Sequence, residues 1–107
     1  MLITKHAFQR LRERVRQDIT SEQAVNLATK AYYQGKTSGH FIETDPILAG
    51  YLGHKQNSYQ HKTLRLFDGM IYVYDLSQKV LITCYPADIE DWKRKNQKII
   101  KKYLHKK

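Results

Sequence analysis

The chain has 107 residues, 41% of them apolar, with 19 lysines and arginines against 10 acids and a formal charge of +9. That is the length of one domain with a modest core, so composition excludes a disordered chain and leaves no room for a second domain. No run of about 18 apolar residues exists to cross a bilayer, and a field this basic favours polyanionic partners, nucleic acid before others.

The charge is uneven. Lys5 to Arg16 holds five basic residues and one acid, and Trp92 to Lys107 holds eight and none. Lys5 and Arg10 stand where the apolar stretch of a signal peptide would lie, and Cys84 is the single cysteine, so no internal disulfide can form. A reducing, cytoplasmic setting is expected, with Cys84 as a small core residue.

In chain order, residues 4–16 fit a first helix with Ile3, Ala7, Phe8, Leu11 and Val15 on one side. A second start signal follows at Ile19-Thr20-Ser21-Glu22-Gln23. Thr20 can cap, Gln23 can close a capping box, and Ile19 with Ala24 can form a staple. Ala24, Leu27, Ala28 and Ala31 make the buried stripe, and Gly35 is a suitable stop. Residues 35–62 carry Gly35, Gly39, Gly50, Gly53 and Pro46 and read as an irregular connection, in which "PILAGYLG" could be a short helix or a buried turn.

From residue 63 the period becomes two. "TLRLF" and "MIYVY" flank Asp68-Gly69, a hairpin turn, and "VLITCY" is a third strand ended by Pro86. Asp88 can cap a last helix lined by Ile89, Trp92, Ile99, Ile100 and Tyr103. The expected fold class is α+β: two N-terminal helices, an antiparallel sheet of three strands or more, and a C-terminal basic amphipathic helix. That helix could lie on anionic lipid, but its apolar residues serve better on the sheet, so no membrane is expected.

The two-residue turn pairs Phe67 with Met70, Arg65 with Tyr72 and Thr63 with Tyr74. A loop centred on Ser77-Gln78 then pairs Tyr72 with Thr83 and Tyr74 with Leu81. Leu64, Leu66, Ile71, Val73, Val80, Ile82 and Cys84 make an apolar face that must take the helices. Thr63, Arg65, Phe67, Met70, Tyr72, Tyr74, Leu81, Thr83 and Tyr85 would form an open face with Arg65–Tyr72–Thr83 as its middle row. An arginine flanked by tyrosine and threonine offers phosphate donors beside a stacking surface. An ordinary solvent-facing sheet also carries tyrosine and threonine, through strand propensity alone.

On the first helix, His6, Arg10 and Arg14 fall on one rim of the apolar stripe, where they would face phosphate or simply be solvated. "ITKHAFQRLRER" followed by a late "LITCYP" strand resembles small bacterial domains of the barnase–colicin–RelE-like nuclease fold, over about a third of the chain. That resemblance implies metal-independent RNA cleavage, with His6 handling the proton and Arg10 and Arg14 the phosphate. It also implies roles for Arg65, Thr83 and, more weakly, Tyr85 on the sheet; a protein partner on the open face could be an antitoxin or a second copy of the chain.

The chemistry would need a base for the 2′-hydroxyl, an acid for the leaving oxygen and fixed cations. His6 suits the proton and Arg65 the charge, Tyr72 would stack a base, and His54 or His61 could replace His6. Lys93, Arg94 and Lys98 would add phosphate contacts. With no H-E-x-x-H, no paired cysteines and no Gly-rich phosphate loop, no metal or cofactor is expected. The alternative is a basic domain that binds nucleic acid or a protein and catalyses nothing, its open face serving for self-association.

Overall fold

The computed structural model describes residues 1–75 and 79–105. The chain is an α+β fold running β1 (Leu2–Ile3), α1 (Lys5–Arg14), α2 (Ser21–Gln34), a 3-10 turn (Ser38–Phe41), α3 (Pro46–Ser58), β2 (Lys62–Phe67), β3 (Met70–Asp75), β4 (Val80–Pro86), α4 (Ile89–Lys95) and α5 (Gln97–His105). No helix among the described residues is long and apolar enough to cross a membrane.

Local chemistry fixes the first two helices. Thr4 caps α1 by accepting the Ala7 N–H, and its hydroxyl donates to the Ile82 carbonyl at 3.0 Å, tying the helix start to β4. The Thr20–Gln23 capping box opens α2, and Gly35 ends it. At Asp68-Gly69 both residues have positive φ, 50° and 75°, the mirror-type turn that suits a right-twisted hairpin. The expected pairs Phe67–Met70, Arg65–Tyr72 and Thr63–Tyr74 follow.

Three expectations are corrected. Residues 46–58 form α3 rather than an irregular connection. Asp45 caps it by accepting the Leu48 N–H, Pro46 occupies its first turn, and Tyr51 and Leu52 are buried. Tertiary burial outweighs the cost of Gly50 and Gly53. The last helix is two, α4 and α5, broken at Asn96, whose amide donates to the Trp92 carbonyl and so competes with the helix. The sheet has four strands, within the expected three or more, in the order β1-β4-β3-β2, and departs from a wholly antiparallel one only where the two-residue β1 pairs parallel with β4. The loop centred on Ser77-Gln78 and the Tyr103 side chain lie outside the described residues.

The largest difference is in β4. Tyr74 pairs with Leu81 as expected, but Val73 pairs with Thr83 and Tyr72 with Cys84. Ile82 is the extra residue of a bulge, and one added residue moves all that follow to the opposite face. Cys84 therefore joins Tyr72, and Thr83 and Tyr85 join Val73 and Ile71.

Nor is either face open. Met70, Tyr72, Tyr74, Leu81 and Cys84 are buried with Ala7, Leu11, Ala24, Ala28 and Ala31 of α1 and α2. Leu64, Ile71 and Val73 are buried with Tyr51, Leu52 and Trp92 of α3 and α4. The mixed face read as solvent-exposed is thus the seat of the first two helices, and its tyrosines are core. The small alanine stripe of α2 leaves the room that those rings fill.

This burial has a pH signature. Loss of solvent holds the Tyr72, Tyr74 and Tyr85 phenols well above the ordinary range, and Tyr51 above it too. Burial likewise pushes the Cys84 thiol up to about 11, against the opposing pull of Arg14 and Arg10. The unfolded chain ionises its tyrosines first, near pH ~10. The stability these groups contribute is complete below that pH and lost as pH rises through the folded values. In an alkaline titration, part of the phenolate absorbance of the eight tyrosines should appear only as circular dichroism is lost. Full phenolate absorbance on an intact fold would contradict this.

Candidate nucleic-acid interface

The residues singled out on α1 lie on its surface. His6 is exposed. Arg10 is partly buried and pairs with Glu13 at 2.8 Å, a bond that holds the Glu13 carboxyl below its usual range. Arg14 donates to the Cys84 carbonyl at 2.8 Å, clamping the helix to β4. Arg12 stacks over the Phe8 ring at 4.7 Å. The α1 arginines are therefore partly spent on holding the helix down.

The sheet residues disperse. Tyr72 is 1% exposed and presents no ring surface to a base. Thr83 and Tyr85 sit on the face that takes α3 and α4. There the Tyr85 ring stacks on Tyr59 at 6.4 Å, and its hydroxyl is buried with no hydrogen-bond partner among the described residues. Arg65 is on β2, separated from β4 and its helix α1 by β3, about 10 Å between strand axes. His6 on α1, Arg65 on β2 and the Thr83 and Tyr85 side chains against α3 and α4 are therefore not brought together.

On α4, Lys93 pairs with Glu90 and Arg94 with Asp91. Lys95 also bonds Asp91 and, ahead of Arg94, keeps that carboxyl low. Lys98 is exposed on α5.

Arg65 instead belongs to a different constellation. The end of α2 approaches β2 so closely that a side chain at Gly35 would collide with Arg65. Directly after it, Lys36 exchanges two backbone hydrogen bonds with Leu66, each 2.8 Å, as an isolated bridge on the edge strand. Between these elements lies an open cleft of about 450 Å³ lined by Tyr32, Tyr33, Lys36, Thr37, His40 and Arg65. No acid among the described residues lines it.

The Arg65 guanidinium is held in place. Its Nε donates to the Tyr32 carbonyl at 3.2 Å and its Nη1 to the Leu64 carbonyl at 3.0 Å, with the plane 5.0 Å from the Tyr32 ring centre. Lys79 approaches the same ring at 5.8 Å. Tyr32 is thus occupied by cations, whereas Tyr33 is 69% exposed. Lys36 and His40 are exposed as well. The arrangement offers a fixed planar donor, an exposed ammonium, an imidazole and an exposed aromatic ring, which suits phosphate and base together.

Sequence reasoning found Arg65 but not its neighbours. The signal was "AYYQGKTSGH", two tyrosines ending a helix before a glycine, a lysine and a histidine. Only the bridge to Leu66 makes it part of a site.

A second concavity, about 440 Å³, lies between α3, α4 and α5 and is mainly apolar, lined by Ile42, Ile47, Gly53, Trp92, Ile99 and Ile100 among others. At its edge the Trp92 indole donates to His54 Nδ1 at 3.1 Å. Among the described residues no group of three or more His, Cys, Asp or Glu is arranged to hold a metal ion. Comparison of the chain with protein-family models, with curated proteins and with solved structures gives no match in any of the three, so the site is read from its own geometry.

Proposed function

We propose that the chain is an RNA-binding domain that grips the phosphate backbone at the cleft between the end of α2 and β2. The observation that carries this reading is the meeting of Lys36, Arg65 and the exposed Tyr33 ring at one rim that no acid among the described residues lines. Arg65 is pre-oriented by two backbone carbonyls, so little side-chain entropy is lost when it takes a phosphate oxygen. The surplus of nine positive charges, with Arg12 and Arg14 on α1 and Lys98 on α5, supplies the long-range attraction.

A second reading, metal-independent RNA cleavage, is supported by one observation: His40 lines the same cleft as Arg65 and Lys36. An imidazole there would take the proton of a ribose 2′-hydroxyl as its oxygen attacks the adjacent phosphorus. The departing 5′ oxygen would take a proton from solvent water, the imidazolium would return its own to the hydroxide left behind, and the two cations would hold the charge between. This transfers to His40 the role that sequence assigned to His6.

The test is titration of labelled mixed-sequence RNA at several salt concentrations, in EDTA. Wild type should bind with steeply salt-dependent affinity. The Lys36→Ala, Arg65→Ala pair should lose about tenfold or more, with a salt slope shallower by roughly one to two. Intact RNA keeps the binding reading in front, whereas 2′,3′-cyclic phosphate ends made by wild type and not by His40→Ala establish the second. No binding by wild type, or equal binding by the double variant, overturns both.

A further inference from the structure

Resting on the RNA-binding reading, we propose that the cleft selects unpaired nucleotides, with one base stacked on the Tyr33 ring while Lys36 and Arg65 hold the neighbouring phosphate. Three features carry it. Tyr33 is 69% exposed although it adjoins a well-packed helix end. Its neighbour Tyr32 meets it edge-on at 5.2 Å and an interplanar angle of 82°, bracing the Tyr33 ring. Tyr32 itself already carries Arg65 and Lys79, so of the two rings Tyr33 is the one that solvent leaves largely bare.

A single exposed tyrosine is by itself ordinary. Here it opens onto the same cleft as two cations, one of them held by two backbone carbonyls, and no acid among the described residues lines that cleft. In a duplex each base face is covered by its neighbours, and a side chain meets only the groove edges and the backbone. An unpaired base presents a free π-face. A ring exposed beside a phosphate donor therefore gains from single strands what it cannot gain from a duplex of equal charge. One ring can stack one base, so the effect is a preference added to the general electrostatic attraction.

The experiment compares a labelled RNA without self-complementarity with the same strand annealed to its complement, at one salt concentration, against wild type, Tyr33→Phe and Tyr33→Leu. Tyr33 is exposed, so both variants should keep the wild-type melting temperature. Wild type and Tyr33→Phe should prefer the single strand, and Tyr33→Leu should lose about tenfold in single-strand affinity while duplex affinity is unchanged. Equal wild-type affinity for both forms, or a preference that survives Tyr33→Leu, overturns the inference and leaves RNA binding standing. Wild type that binds neither form overturns the RNA-binding reading itself.

Discussion

Gly35→Ala should lower stability by about 2–3 kcal/mol, a fall in melting temperature of roughly 10 °C or more for a domain of this size. The cause is space, not backbone angle: φ is −68° and ψ 160°, which any residue adopts. A Cβ there would lie 2.3 Å from the Ala31 carbonyl oxygen and 2.8 Å from Arg65 Cβ. Neither neighbour can yield, since the oxygen belongs to α2 and accepts the Gly35 N–H, and Arg65 is anchored in β2. Relief requires the helix end to lift from the strand. That would stretch both 2.8 Å bonds between Lys36 and Leu66 and carry Lys36 away from Arg65. Urea denaturation should show the loss, and RNA affinity should fall even where the variant remains folded. A variant as stable as wild type would mean that the close approach of α2 to β2 is absent in solution.

Tyr74→Ala should cost about 3–5 kcal/mol, the range for deleting a fully buried aromatic. The ring is 0% exposed, meets Tyr32 edge-on at 5.1 Å, and its hydroxyl donates to the Ala28 carbonyl at 2.8 Å. Tyr74→Phe should cost about 1 kcal/mol, the usual net worth of such a bond. These values separate two arrangements of the sheet. If Tyr74 stood on a solvated face, its removal would cost well under 1 kcal/mol, as surface changes do. A full-sized loss in thermal or urea unfolding places α1 and α2 over the tyrosines.

That distinction marks where sequence stops being legible. The caps at Thr20 and Asp88 and the Asp68-Gly69 turn act within a few residues, and such local chemistry can be read along the chain. The alternation of β2 and β3 gave their register for the same reason. Two things lay beyond it. The bulge at Ile82 leaves no mark in the apolar pattern of "VLITCY", because isoleucine suits either face. The assignment of helices to faces depends on volume. Ala24, Ala28 and Ala31 are small enough to lie on tyrosines, so a face of aromatic rings is covered even though a purely aliphatic face looked the better seat. Helix α3 was hidden because its glycines outweigh its pattern locally, and only burial of Tyr51 and Leu52 offsets them.

The candidate site followed the same logic. Arg65 could be assigned to β2 from alternation, and its side chain to the Tyr72 face. Its true companions, Tyr33, Lys36 and His40, lie some thirty residues earlier and reach it only because α2 ends at a glycine pressed against β2. His6, Arg10 and Arg14 do share a helix, but that helix rides on β4, on the far side of β3 from Arg65.

The most direct test of the account is to titrate ¹⁵N-labelled protein with an unlabelled single-stranded RNA and follow the backbone amide resonances. The largest shifts should fall at residues 32–40 and 64–66, with smaller ones on α1. Shifts centred on α1 alone, or on the apolar concavity between α3, α4 and α5, would contradict it and assign binding to another surface.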